Sequence, residues 1–109
     1  MNFKQYQEKS RRTAIYPSRG KNFIYPALGL GGETGEVLDK IKKIIRDKNY
    51  KVDRLVRSEL EKELGDVLWY LAQLATELKL SLDQIAKTNL KKLNSRLKRD
   101  QIKGSGDNR

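Results

Sequence analysis

Apolar side chains in this chain recur at intervals of three and four, and no run of four or more residues alternates apolar with polar between turn signals. That periodicity excludes strands and predicts an all-α fold. The stripe Leu30, Val37, Leu38, Ile41, Ile44, Ile45 predicts a helix from near Pro26 to about Lys48, with proline acceptable at its start. After a polar break at Asn49–Asp53, the stripe from Leu60 through Leu64, Val67, Leu71 and Ala75 to Leu78 predicts a second long helix, from Asp53 or Arg54 to Lys79. Ser81 with Gln84 three residues on reads as a capping box for a further helix through Ile85, Leu90, Leu93 and Leu97. Phe3 and Tyr6 support a short N-terminal helix over the first dozen residues, ending before Pro17. Tyr16 to Pro26, with two prolines, a glycine and the aromatics Tyr16, Phe23 and Tyr25, reads as an ordered loop. The expected architecture is an antiparallel bundle of about four helices, formed by residues 1–103, with a glycine-rich tail over 104–109.

Bulk properties narrow the chemistry. In 109 residues, 35% are charged and 37% hydrophobic, so the core is expected to be completed by homo-oligomerisation. Without cysteine or histidine, disulfides, thiolate metal sites, serine-histidine triads and zinc-histidine sites are excluded. A metal here must be held by oxygen, which favours magnesium, manganese or calcium. No apolar run approaches the roughly 18 residues of a membrane span, and Met1 to Ser10 lacks a signal-peptide core, so the expected compartment is the cytoplasm.

Two acidic pairs lie within the periodic segments: Glu33/Glu36 in Gly32-Glu33-Thr34-Gly35-Glu36, and Glu63/Asp66 in Glu63-Leu64-Gly65-Asp66. Spacing three sets two carboxylates on one helix face about 5 to 6 Å apart. Such pairs also arise on solvated helix faces, and Glu36 with Asp39 makes one. These two share a glycine before the second acid, at a cost of roughly 1 kcal/mol inside a helix, which suggests that something close by needs the room. The short break favours antiparallel neighbours and brings the pairs to similar heights at about 1.5 Å per residue. Four converging carboxylates repel by about 4 kcal/mol per close pair at an effective dielectric near 20, so they either stay apart or share a cation. A cation such as Mg²⁺ keeps positions open for phosphate oxygens. Tyr70, four residues after Asp66, falls on the same side, where it either bonds a sugar or phosphate or simply packs. Asn89, Lys92 and Arg96, at spacings of three and four, form one basic face of the last helix and suit a phosphate clamp.

The net charge of +10 is uneven. Residues 1–26 carry six basic and one acidic side chain, residues 87–109 eight and two, and the segment between them ten and eleven. An acidic centre between basic ends fits either a metal centre that collects a polyanion or a non-catalytic helical module that binds nucleic acid through residues 87–109.

The blocks from Ala27 to Val37, from Glu63 to Leu71, Asn89 with Lys92, Leu93 and Arg96, and the closing Gly104-Ser105-Gly106-Asp107-Asn108-Arg109 together resemble the MazG-like, all-α nucleoside triphosphate pyrophosphohydrolases. The resemblance implies Mg²⁺-dependent hydrolysis, with Mn²⁺ a substitute, of canonical or modified (deoxy)nucleoside triphosphates to monophosphate and pyrophosphate. It implies a role in nucleotide-pool control or housecleaning, on a homodimer or a tetramer of dimers, with no membrane and with nucleic acid not the main partner. By position, Glu33, Glu36, Glu63 and Asp66 are the implied metal ligands, with Glu33 or Glu36 assisting the water. Asn89, Lys92 and Arg96 are implied contacts to phosphate or sugar, and Lys103 or Arg109 are implied to close over phosphate. Many members carry a further glutamate where this chain has Gly32, which leaves the number of ions and the identity of the base open.

Overall fold

The computed structural model describes residues 1–109 and contains helices only. These are α1 (Phe3–Ser10), a 3₁₀ turn over Arg11–Thr13, α2 (Ile24–Lys48), α3 (Arg54–Glu77) and α4 (Leu82–Lys98). The expected all-α class and the four-helix order hold. No helix is long and apolar enough to cross a membrane.

The helix ends follow from local chemistry. Asn2 and Gln5 form a reciprocal capping box at α1, with bonds of 2.9 and 2.8 Å. The Asp53 carboxylate accepts from the Val56 amide at 2.8 Å to start α3. At α4 the Ser81 hydroxyl accepts from the Gln84 amide at 2.9 Å, but the Gln84 side chain turns forward to Thr88. Only half of the capping box expected there forms. α2 begins two residues earlier than Pro26 suggests, because the Asn22 side chain accepts from the Tyr25 amide at 3.0 Å. It ends where Asn49 and Tyr50 take the left-handed conformation, at φ 48° and 64°.

α2 and α3 pack antiparallel along their length and form the backbone of the molecule. The core elsewhere is small. Ala72, Ala75 and Leu82 are buried together, with Tyr6, Leu71 and Ile85 packed against them, so α1 and the start of α4 both seat on the C-terminal half of α3. Polar stitches fix this junction. The Gln7 side chain donates to Thr76 Oγ1 and the Leu80 carbonyl at 3.0 and 2.9 Å, and its oxygen accepts from the Leu82 amide at 2.8 Å. Fully buried Gln73 donates to Ser10 Oγ at 2.9 Å. α4 then continues past this junction and does not pack along α2.

Candidate metal centre

α2 and α3 position the acids through the register of their packed faces. Glu33, Glu63 and Asp66 each bring a carboxylate oxygen within 4.8 Å of the others. Burial pushes the Glu33 carboxyl above its ordinary range, and the neighbouring charges of Asp66, Glu63 and Glu36 push it further. Glu36 itself is exposed and stands outside the trio. At 100° per residue, Glu36 is rotated about 60° from Glu33, whereas Lys40, seven residues on, returns to the α3-facing stripe. Lys40 Nζ lies 3.7 Å from Glu59 and 3.9 Å from Glu63, reaching across the helix pair to the edge of the trio. By contrast, Asp39 is taken by Lys42 and Lys43 at 3.0 and 2.9 Å on the outer face of α2. That is the fate of an ordinary surface carboxylate.

The trio fits a hard divalent cation. Ligand oxygens around Mg²⁺ sit at about 2.0–2.1 Å from the ion, so opposite ligands lie roughly 4 Å apart, and three oxygens within 4.8 Å need only small side-chain shifts. The donors are all carboxylate oxygens, the set that Mg²⁺ and Mn²⁺ prefer.

Tyr70 lies beside this centre. A Cβ at Gly29 would overlap the Tyr70 ring, so the absence of a side chain there is what lets α2 and α3 approach. A Cβ at Gly35 or Gly65 would meet nothing within 4 Å. The room that the sequence suggested around those two glycines is therefore not used within one chain. Tyr70 packs edge-on against Trp69, with ring centroids 5.0 Å apart, and Tyr25 lies 6.5 Å away. Tyr25 in turn stacks on Tyr16 at 5.0 Å. Burial raises the Tyr70 hydroxyl pKa, and the nearby Tyr25, Glu33 and Asp66 raise it further.

A second polar cluster escaped sequence reasoning. The Glu77 side chain, fully enclosed, accepts from Arg11 at 2.6 Å, from the Tyr16 hydroxyl at 2.7 Å, and from the Gly20 and Asn22 amides at 2.9 and 2.7 Å. It anchors the loop of residues 14–23 to the end of α3. Burial alone would raise the Glu77 pKa, but hydrogen bonds from Asn22, Tyr16, Arg11 and Gly20 outweigh it and hold it at about 2. The only sequence signal was an acid closing a long helix beside an aromatic, basic loop.

On α4, Asn89 and Lys92 border a surface groove with Ser81, Ile85 and Thr88. Arg96 is buried, at 4% exposure, beneath the returning tail. Lys103 is exposed, and the Arg109 guanidinium is spent on backbone carbonyls of residues 101–106. The chain thus gathers three of the four acids with Tyr70, while the basic group on α4 is carried on a helix that does not line the α2–α3 pair.

The model of the MazG nucleotide pyrophosphohydrolase domain matches residues 26–99. The chain belongs to this MazG family. The match spans α2, α3 and α4, so it includes the acidic trio and the basic face of α4, and it leaves out the Glu77-anchored loop and the tail. The "Gene 37 protein" of Mycobacterium phage L5 is 47% identical to this MazG-family chain over 109 residues, covering 95% of the chain and 96% of that protein. No solved structure matches it.

Proposed function

We propose that this MazG-family chain hydrolyses (deoxy)nucleoside triphosphates to the monophosphate and pyrophosphate in a Mg²⁺-dependent reaction, with Mn²⁺ a substitute, in nucleotide-pool control or housecleaning. The observation that carries the reading is the convergence of Glu33, Glu63 and Asp66 across two helices of a nucleotide pyrophosphohydrolase domain. Glu33, Glu63 and Asp66 would hold the ion, with Glu36 at the edge of the site and free of it. When bound there, the ion would supply neutralisation of triphosphate charge and a lowered pKa for the attacking water. Glu36, solvent-facing and outside the trio, is the carboxylate left to take the proton as water adds to phosphorus. The anhydride bond breaks and its electron pair leaves with pyrophosphate.

The Tyr70 hydroxyl, near enough to Glu33 and Asp66 to feel their charge, would bond the sugar or phosphate. Asn89, Lys92 and Arg96 are the phosphate clamp, with Lys103 and Arg109 nearby in the tail. Because α4 does not lie along α2, the clamp meets the acids of another copy, and the working unit is a homodimer or a tetramer of dimers. Exposed apolar residues on α2 and α4, including Leu38, Ile41 and Ile45, and Leu90 and Leu97, support that assembly.

The test is pyrophosphate release from a panel of ribo- and deoxyribonucleoside triphosphates in Mg²⁺, in Mn²⁺ and in EDTA. Release with at least one nucleotide, dependent on the ion, is expected. No ion-dependent release with any nucleotide, beside tight binding to DNA, would overturn the reading in favour of a basic nucleic-acid module.

A further inference from the structure

The C-terminal tail is folded rather than loose. Asp100, Gly104 and Gly106 take φ of 56°, 120° and 88°, and these left-handed steps reverse the chain. Arg109 closes the reversal from within. Its Nε donates to the Gln101 carbonyl at 3.0 Å, and its Nη1 and Nη2 to those of Gly106 and Ile102 at 2.6 and 3.0 Å.

The closed loop presents Asp107 to the two cations of α4. Asp107 Oδ1 lies 3.2 Å from Lys92 Nζ and 3.5 Å from Arg96 Nη2, and the Asp107 carbonyl accepts from Arg96 Nη2 at 2.8 Å. The Gly106 carbonyl is 3.4 Å from the same nitrogen. The partnership is incomplete. The Arg96 side chain is 5% exposed, yet its Nε is buried with no acceptor. A guanidinium offers five donors in a fork that suits the oxygens of a phosphate, and here a single carboxylate and the loop's carbonyls fill part of that fork. Lys92, and then Arg96, hold the Asp107 carboxyl below its ordinary range.

We propose that Asp107 is a built-in stand-in for substrate phosphate: in the free protein it occupies the Lys92–Arg96 pair, and a polyphosphate must displace it. This rests on the reading that Lys92 and Arg96 contact phosphate, and it adds that the site is self-occupied. Two features make displacement feasible. The Asp107 side chain is 86% exposed, so no packing holds it. Arg109 grips only residues 101–106, so Asp107 can leave without the reversal unfolding. A polyphosphate brings several charges and oxygens against one carboxylate, and it can supply the acceptor that Arg96 Nε lacks.

The test uses inorganic pyrophosphate as the probe, titrated calorimetrically into the full chain in EDTA, so that only protein side chains bind it. Asp107→Asn is expected to bind pyrophosphate about two- to fivefold more tightly than the wild type, the range an exposed ion pair supports. Lys92→Gln is expected to bind it more weakly, with circular dichroism confirming helix in both variants. Unchanged or weaker binding by Asp107→Asn, or no binding by either protein, overturns the proposal. Binding is read without turnover, so the two readings fail separately. Tighter binding by Asp107→Asn with no hydrolysis of any nucleotide would leave the tail inference standing and remove the enzymatic one. Hydrolysis with unaltered binding would do the reverse.

Discussion

Gly29 and Tyr70 show how much one absent methyl group decides in this molecule. Gly29→Ala forces the Tyr70 ring or α2 itself to move, and overpacking of this kind costs about 1–3 kcal/mol; a lowered urea midpoint with unchanged slope is the expected signature. Gly35→Ala and Gly65→Ala meet open space in the chain and should instead gain up to roughly 1 kcal/mol of helix stability. The sequence drew attention to Gly35 and Gly65 because they sit beside acids. It gave no reason to single out Gly29, since what a Cβ would meet depends on a helix register that no local pattern encodes. The acids follow the same logic. Spacing three marked four of them, but the register of α2 against α3 turns both members of the Glu63/Asp66 pair and only Glu33 of the other pair into the centre, leaving Glu36 exposed. The division has a kinetic consequence: Glu36→Gln should lower kcat by a hundredfold or more, in the range of general-base loss of about 10²–10⁴, while Mn²⁺ affinity changes little. Asp66→Asn should weaken Mn²⁺ binding itself, and equal loss of binding in both variants would place Glu36 among the ligands.

At the scale of the element, the long helices were legible because their apolar stripes persist over several turns and their ends carry Asp53, Ser81 and Asn49. The N-terminal segment was only partly so. Its order comes from Glu77, more than fifty residues away, which no local periodicity could connect to Tyr16, Gly20 and Asn22. Removing one partner of such an enclosed network costs roughly 3 kcal/mol or more. Glu77→Ala should therefore release residues 14–23, seen as faster proteolysis and hydrogen exchange in that loop with α2 and α3 still protected. The pH dependence follows from the depressed carboxyl. The folded-state pKa of about 2 lies below the ordinary 4.5, so the stabilisation is fully present above pH 4.5 and is lost as pH falls from there toward 2. Acid titration of the wild type, with Glu77→Gln as reference, should show loop release in that window.

The whole molecule is open. Its radius of gyration, 16.8 Å, exceeds the roughly 13 Å expected for a self-contained domain of this length. Large side chains lie exposed in helical register, with Leu38, Ile41 and Ile45 at 64, 40 and 47% on α2 and Leu90, Leu93 and Leu97 at 59, 38 and 68% on α4. The apolar stripes that predicted the helices are thus only half spent on the fold of one chain, which is why periodicity could give helix positions but not the surface each stripe covers. If a second copy covers them, as proposed, Ile41→Asp with Ile45→Asp should reduce the mass measured by light scattering to that of one chain and suppress turnover with it. A dimer that survives this change would place the interface elsewhere.

The seating of α1 and the start of α4 on the same end of α3 has an electrostatic result. It joins the basic N-terminal segment to the root of α4, from which the basic residues 87–109 run outward, at the end of α3 farthest from the Asn49–Asp53 turn, while the acids stay midway along the helix pair. A polyanion diffusing nearby meets a field that draws it in before any contact forms, so its encounter rate, rather than its final grip, is what added salt should slow most steeply.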